Sequence, residues 1–324
     1  MSEILTLAGE NLISPIILSF VLGLLAALVR SDLSFPEAIA KGMSLYLLFA
    51  IGFKGGAGLA ASGADARLAA ALVTGSVLSL LLPLVAFVLV RSLAKVSVVD
   101  AAAVAGHYGS ISIVTFLTAS ALLTERGIAA ESYMVAVAAA MEAPAILSAL
   151  WLVAWRGERV EKRDAKAWRE ILFNGSIVLL VGAFCIGWIT GSDGLAQIES
   201  FIVSPFKGLL CLFLLDMGLV AGRGLLSSRG ILNPGILAFA FLMPLVGAAF
   251  GLAAGLVLGL SQGGVTLMMV LCGSASYIAV PAAMRVALPQ ANPGLSLTLS
   301  LGLTFPFNLV FGIPLYVAMA ELIK

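Results

Sequence analysis

The chain has little charge. Only 11% of its 324 residues are charged, whereas 61% are hydrophobic and the mean hydropathy is +1.12. A soluble domain carries roughly 25% charged residues, so this composition predicts an integral membrane protein. The formal net charge is +1, and the basic residues form no continuous stripe. These two features exclude nucleic-acid binding as a function class.

Residue patterns for metal and nucleotide chemistry are lacking as well. Cys185, Cys211 and Cys272 lie far apart in apolar stretches, without the spacing of a metal site, and we interpret them as small packing residues. No lysine follows a glycine, so the sequence contains no Walker A phosphate-binding loop. Any active transport must therefore draw on an ion gradient or on a separate energised subunit.

Long apolar runs fill the chain instead. A membrane-crossing helix needs about 20 apolar residues. The runs predict an all-α protein with ten spans, at residues 12–29, 36–53, 68–90, 98–124, 132–155, 173–190, 201–221, 235–260, 264–287 and 294–320. The long polar interval 156–170 divides the chain into a first five-helix repeat, 1–155, and a second, 171–324.

The two halves carry the same pattern. Gly109–Ser112 (Gly-Ser-Ile-Ser) recurs as Gly273–Ser276 (Gly-Ser-Ala-Ser), an offset of 164 residues. Leu82–Leu84 recurs in the same order as Met243–Leu245, with a proline at the centre of each. Because five is an odd number, the second half must enter the membrane in the opposite orientation. We therefore predict inverted repeats, with helices four and nine discontinuous at the two Gly-Ser-x-Ser motifs.

Charge sets the predicted orientation. If the N-terminus lies outside the cell, most of the 18 basic residues fall in cytoplasmic loops, six of them between 156 and 170. The positive-inside rule thus predicts a multi-pass protein of the inner (plasma) membrane. Both termini lie outside, and the 156–170 hinge lies in the cytoplasm.

A break in a membrane helix must face protein or a water-filled cavity, because its backbone groups cannot be left in lipid. The half-helix that follows each break presents free N–H groups and a partial positive charge, which favour a small anion. Serine hydroxyls and unwound carbonyls supply hard oxygen ligands for a cation. The alternative is a small-residue packing face between helices. The residues assigned to the anion are Gly109, Ser110, Ile111, Ser112, Gly273, Ser274, Ala275, Ser276 and Tyr277.

Three carboxylates within the predicted spans are functional candidates, because charge is costly at membrane depth. Asp100 opens span four, where it either caps the helix or reaches a cation site. Glu142 precedes Pro144 and suits a sodium ligand or a proton carrier. Asp216 either lines a cavity or serves a subunit interface. Thr304 and Asn308 flank Pro306 in the corresponding part of the second half.

His107 is the only histidine and lies one helical turn before Ser110. A hydrolase would use Ser110 as its nucleophile and His107 as the base. The position of His107 corresponds to Leu271 in the second half, and no carboxylate obviously orients the imidazole. These features favour a packing or hydrogen-bonding role for His107 and a protein that is not an enzyme.

Together these residues resemble the sodium-dependent bicarbonate transporter family, known best from cyanobacteria. The resemblance runs along essentially the whole chain. It is most specific at residues 51–56, 107–112, 141–144, 207–212, 274–285, 292–293 and 304–308. The alternatives from the residues alone are a sodium- or proton-coupled symporter of another small anion or carboxylate, a passive anion channel, and the intramembrane hydrolase.

The resemblance implies a carrier that moves bicarbonate with sodium into the cytoplasm by an elevator-like movement. Helices 1, 2, 6 and 7 would form a scaffold (gate) domain, and helices 3–5 and 8–10 a mobile core. It also implies a homotrimer and a PII-like regulatory protein at the cytoplasmic face. Na⁺ would be the co-transported ion, with no organic cofactor. Its implied ligands are Asp100, Ser110, Ser112, Glu142 and Asn308.

Overall fold

The computed structural model describes residues 13–63, 66–156, 175–227 and 232–323, and these contain helices and no strand. We number the helices along the chain. They are α1 Pro15–Leu28, α2 Glu37–Ser62, α3 Ala66–Leu93, α4 Val98–Gly109, α5 Ile113–Glu125, α6 Met134–Ala140, α7 Pro144–Trp155, α8 Gly175–Ile202, α9 Phe206–Ser227, α10 Pro234–Val257, α11 Gln262–Gly273, α12 Ala279–Ala287 and α13 Pro293–Ile323.

The all-helical membrane architecture is confirmed. Eight helical stretches among the described residues are long and apolar enough to cross a membrane, rather than the ten predicted. The two other predicted spans correspond to shorter apolar helices, α1 and α11. α11 is short because the chain breaks after Gly273, within the predicted span 264–287. Apart from Arg156, the predicted hinge lies outside the described residues.

Helix ends differ from the predicted ones where glycine or polar residues continue a helix. α2 reaches Ser62 rather than residue 53, and α8 reaches Ile202 rather than residue 190. α8 bends at Gly191, whose φ of 59° is accessible to glycine without strain. The bend changes the direction of α8 where hydropathy alone predicts its end.

Two helix pairs form one layer of the molecule. α2 packs against α8, and α1 packs against α9. Glycines allow these backbones to approach closely: a Cβ on Gly52 would lie 2.7 Å from the Leu180 carbonyl oxygen, and one on Gly218 would lie 2.8 Å from the Leu24 nitrogen. Gly52 and Gly218 lie 166 residues apart, close to the 164-residue offset of the two motifs. Each helix pair therefore packs closely at a glycine in a similar place of the chain.

The remaining helices form a second group around the two breaks. α3 packs on α4, α10 packs on α11, and α3 also contacts α10. α4 packs on α7, and α11 packs on the last part of α13. α13 contains two π-helical stretches, Thr298–Thr304 and Asn308–Gly312, on either side of Phe305–Phe307. Pro306 lies between them and cannot donate a backbone hydrogen bond, which favours this local widening.

Candidate functional site

Both Gly-Ser-x-Ser motifs interrupt a helix, as the sequence predicts. α4 ends at Gly109 and α5 begins at Ile113, while α11 ends at Gly273 and α12 begins at Ala279. The residue after each glycine is extended, with ψ of 171° at both Ser110 and Ser274. Two short non-helical segments that begin extended, 110–112 and 274–278, therefore lie between helix ends.

The glycine of each break lies against the proline of a neighbouring helix. A Cβ on Gly109 would collide with the Pro83 ring on α3, and one on Gly273 would lie 2.8 Å from the Pro244 carbonyl oxygen on α10. Neither glycine has a positive φ. Close packing against α3 and α10, rather than an unusual backbone conformation, requires glycine at these positions.

The two extended segments are joined by hydrogen bonds. The Ser276 N–H donates to the His107 carbonyl oxygen at 2.7 Å. The Ser112 N–H donates to the Ser274 hydroxyl at 2.9 Å, and that hydroxyl lies 3.2 Å from the Leu271 carbonyl oxygen, to which it donates. These bonds join the two break segments at one place in the second helix group.

The corresponding serines Ser110 and Ser274 have different surroundings. Both are buried, but the Ser274 hydroxyl bridges the two segments, whereas the Ser110 hydroxyl makes no hydrogen bond to any described residue. An unpaired buried hydroxyl is costly. Ser110 is thus available to a ligand, and Ser274 is already used by the protein.

A small cavity joins the breaks to a carboxylate. Its wall contains Ser112 from the first break, Ser276 and Tyr277 from the second, and Glu142 from the turn between α6 and α7. Glu142 is 5% exposed, and its Oε2 has no partner among the described residues. The cavity has a free volume of only about 10 Å³, space for about one water molecule. A carboxyl group thus lies beside two serines in a nearly closed space.

The hydroxyls around this cavity are partly ordered by the protein. The Ser112 hydroxyl caps α5 by accepting from the Thr115 N–H at 3.2 Å, and it also accepts from the Thr115 hydroxyl at 2.8 Å. The Ser276 hydroxyl accepts from the Val280 N–H at 3.4 Å. The Tyr277 hydroxyl lies toward Ser112 without a hydrogen bond of normal geometry. These groups are fixed in place near Glu142.

Asn308 and Thr304 lie beside the second break and α10. The Asn308 amide donates to the Gly273 carbonyl oxygen at 2.9 Å, and its carbonyl accepts from the Tyr316 hydroxyl at 3.0 Å. Thr304 donates to the Ala240 carbonyl oxygen at 2.8 Å and also bonds the Tyr108 hydroxyl. Pro244 cannot bond the Ala240 carbonyl four residues earlier, so Thr304 takes that place. Both side chains hold the backbone around the break.

Asp100 lies apart from the breaks. It is at the start of α4, ten residues before Ser110, which corresponds to roughly 15 Å along a helix. Its Oδ1 accepts from the Asn292 N–H at 2.7 Å, and its Oδ2 accepts from the Ser97 hydroxyl at 2.8 Å. The structure therefore does not bring Asp100 to a cation bound at Ser110, and it favours the capping alternative.

Glu131 lies in the first half of the chain, but it supports the start of α11 in the second half, as Asp100 supports the start of α4. Its carboxylate accepts from the Ser261 N–H at 2.6 Å and from the Ser261 hydroxyl at 2.9 Å, at the start of α11. Ser97 and Ser261 are both helix caps, 164 residues apart. Asp100 thus has an acidic counterpart in the structure. An alignment of the two halves does not reveal it, because Glu131 and Asp100 both lie in the first half of the chain.

The two remaining candidates are separate from the cavity wall. Asp216 is buried in α9, which packs against α1. The His107 Nδ1 bonds the Ala103 carbonyl oxygen at 2.7 Å, and its Nε2 has no partner among the described residues. His107 and Ser110 are not joined by a hydrogen bond, so the geometry of a base and its nucleophile is not present here.

Besides Ile113 and Ile278, which adjoin the two motifs, two cavity residues far from them were missed by the sequence analysis. Leu48 of α2 and Ser176 of α8 complete the wall opposite the breaks. Both lie in ordinary apolar stretches, and no motif or charge marks them. They show that the cavity lies between the α1, α2, α8, α9 layer and the helix group that carries the breaks.

A comparison with protein-family profiles matches residues 15–321 to the Na⁺-dependent bicarbonate transporter superfamily. The chain belongs to this superfamily. A comparison with curated proteins gave no match. Membership confirms the family resemblance seen in the sequence and agrees with the helical membrane architecture. Sodium and bicarbonate are accordingly the ion and the substrate that the superfamily implies.

Proposed function

We propose that the protein is a secondary carrier that binds sodium and bicarbonate together and moves both into the cytoplasm. The observation that carries this proposal is the Glu142 carboxylate, buried without a partner at Oε2, in the same cavity as Ser112 and Ser276. A lone buried carboxylate in a membrane protein is stable either in its protonated form or beside a compensating cation. A sodium ion supplies that charge.

Sodium binding would use oxygen atoms from several elements. Glu142 supplies the charged ligand, and Ser110 and Ser112 supply hydroxyls, with Asn308 supporting the Gly273 carbonyl nearby. Among the described residues there is no group of three His, Cys, Asp or Glu side chains suited to a metal. A site with one carboxylate and neutral oxygens suits a monovalent ion, because more carboxylates would favour a divalent one.

Bicarbonate would bind at the N-terminal ends of α5 and α12. Partial positive charge at both helix ends, the bound sodium, and the hydroxyls of Ser276 and Tyr277 all favour an anion there. The cavity of about 10 Å³ must widen to hold both solutes, so binding is coupled to a change of shape. Neutralising the anion with sodium lowers the cost of its passage through a low-dielectric region.

The packing supports an elevator-type division of the chain. The α1, α2, α8, α9 layer would be the scaffold, and the helices around the breaks would be the mobile core. The cavity is lined from both groups, so sliding one past the other would open it to either side. The corresponding pairs α2–α8 and α9–α1 support inverted repeats. In the proposed orientation, both termini lie outside and the 156–170 hinge lies in the cytoplasm of a cell whose inner membrane holds the carrier.

The rival functions have less support. A longer carboxylate would call for an arginine beside the breaks, and none lines the cavity. A channel would need a continuous polar lining, whereas this cavity is short and nearly closed. The homotrimer and the PII-like partner stay predictions from the resemblance. Mass measurement in detergent and co-purification test them.

The decisive experiment is uptake of labelled bicarbonate into proteoliposomes that contain the purified protein. We expect uptake with an inward sodium gradient and none with an equal potassium gradient. Unlabelled small carboxylates added in excess test the rival substrate class. Equal uptake with and without sodium would refute the symport, and accumulation of a carboxylate in place of bicarbonate would refute the substrate.

A further inference from the structure

A second and larger cleft lies beside the cavity at the breaks. It has a volume of about 390 Å³ and runs between α2 and α5, with the 127–132 segment and part of α6 on its far side. Its wall includes Lys54 and Ile51 of α2, Phe116 and Ser120 of α5, and Glu131. Like the cavity, this cleft separates the proposed scaffold from the proposed core.

The cleft continues the line of the cavity along the same two helix faces. On α2, Leu48 lines the cavity, and Ile51, one turn later, lines the cleft. On α5, Ile113 lines the cavity and Phe116 lines the cleft. Residues three apart lie on one face of a helix. Ile51 and Phe116 are 6% and 1% exposed, so the cleft wall is apolar at the helical turn next to the cavity residues.

Lys54 supplies an unpaired positive charge on this wall. Its ammonium lies over the Phe206 ring, 5.2 Å from the centroid, and it makes no ion pair in the part of the chain that the structure describes. The Glu131 carboxylate is engaged by Ser261 at the start of α11, where the helix dipole also favours negative charge. Glu125, at the end of α5, pairs with Lys207. Both Glu131 oxygens are thus occupied by Ser261, and Lys54 is the cation of the cleft wall that lacks an ionic partner among the described residues.

We propose that this cleft is the outer access route to the anion site and that Lys54 draws the anion into it. The proposal rests on the proposed function for the direction of transport, because the cleft lies at the Glu125 end of α5 and the chain then runs through α6 and α7 away from it to Trp155. A positive charge in a cleft with low-dielectric walls concentrates anions and repels cations. Ile51 and Phe116 then form the barrier that the anion passes to reach Ser112.

The first test measures the charge of the cleft without any transport. Ser120→Cys is introduced into a chain whose native cysteines are replaced, and thiol reagents of opposite charge but similar size are added from outside intact cells. When Lys54 is present, we expect the anionic sulfonatoethyl methanethiosulfonate to label the introduced cysteine at least about threefold faster than the cationic trimethylammonium reagent does. Lys54→Gln should remove this preference, and Lys54→Arg should keep it.

Arg67→Gln is the matched control. Arg67 is an exposed cation at the same end of the molecule, at the start of α3, and it lines no part of the cleft. The Arg67→Gln substitution should leave the ratio of the two labelling rates unchanged. Labelling of Ser120→Cys only from the cytoplasmic side would overturn the access route. A reagent preference that survives Lys54→Gln would overturn the role of Lys54.

The second test uses transport. Lys54→Gln should raise the KM for the anion by about three- to fivefold at low ionic strength, the effect of one charge over roughly 10 Å of mixed protein and water, with kcat little changed. High salt should remove most of the difference. If wild-type protein takes up no bicarbonate, the proposed function fails. The labelling result still decides whether the cleft opens to the outside and whether Lys54 favours anions there. An unchanged KM together with normal bicarbonate uptake would refute the role of Lys54 alone.

Discussion

Ser110 and Ser274 form a matched pair for separating folding from ligand binding. They occupy corresponding positions of the two halves, both are buried, and both follow the glycine of a break. The Ser274 hydroxyl joins the two breaks by accepting from the Ser112 N–H, whereas the Ser110 hydroxyl bonds none of the described residues. Replacing each by alanine should therefore give opposite results.

Ser274→Ala should destabilise the protein. It leaves the buried Ser112 N–H without an acceptor, a loss of about 1–3 kcal/mol. For a chain of this length, that free energy lowers the midpoint of thermal unfolding on the order of 2–4 °C. Ser110→Ala removes a buried hydroxyl that has no protein partner, so the unfolding midpoint should stay the same or rise slightly.

Ligand affinity should fall in Ser110→Ala, the variant whose stability is expected to be unchanged. If Ser110 contacts the ion or the anion, its loss removes a hydrogen bond or ligand contact to a charged group, worth about 1.5–3 kcal/mol. The half-saturating concentration should then rise by about ten- to a hundredfold. Tryptophan fluorescence during heating measures stability, and sodium-driven uptake measures affinity. Equal destabilisation by the two variants, or unchanged uptake by Ser110→Ala, would refute the distinction between the two serines.

Three further predictions concern the acids and the first break. Glu142→Gln should raise the sodium concentration for half-maximal uptake at least about tenfold, while Asp216→Asn, in α9, should leave it unchanged; equal effects would remove Glu142 from the ion site. Asp100→Asn should lower stability by about 1 kcal/mol because a helix cap is weakened, with the sodium dependence of uptake unaltered; a changed sodium dependence would return Asp100 to the ion site. Gly109→Ala should lower the free energy of unfolding by about 1–3 kcal/mol, because the added Cβ has no room. Gly42→Ala, whose Cβ would meet no atom within 4 Å, should not destabilise the protein. Chemical denaturation compares the two variants, and an undiminished stability of Gly109→Ala would contradict the close packing.

The breaks illustrate what could be predicted from sequence. Glycine followed by serines inside an apolar run predicts an interrupted helix, because small and polar residues weaken a membrane helix locally. The repetition of this motif predicts both breaks. Their packing against the proline regions of α3 and α10 is seen only in the structure. Glu142 is also predictable, since a carboxylate in an apolar run is rare and costly.

Other features depend on contacts between distant parts of the chain. Nothing local distinguishes Ser110 from Ser274, and only the crossing of the segments gives one serine a partner. Asp100 looks like an ion ligand in the sequence until Asn292 and Ser97 are seen to engage it. The short α11 similarly follows from the break and not from hydropathy.

By itself, the sequence determined the membrane class, the repeated Gly-Ser-x-Ser motif with its two breaks, and the family, because hydropathy and small-residue motifs are properties of the chain alone. Only the tertiary structure decided which serine is free, that Glu142 shares a cavity with Ser112 and Ser276, and that α2 and α8 close it through Leu48 and Ser176. Hydrogen bonds and cavities are set by residues far apart in sequence, and their geometry exists only once the helices have packed.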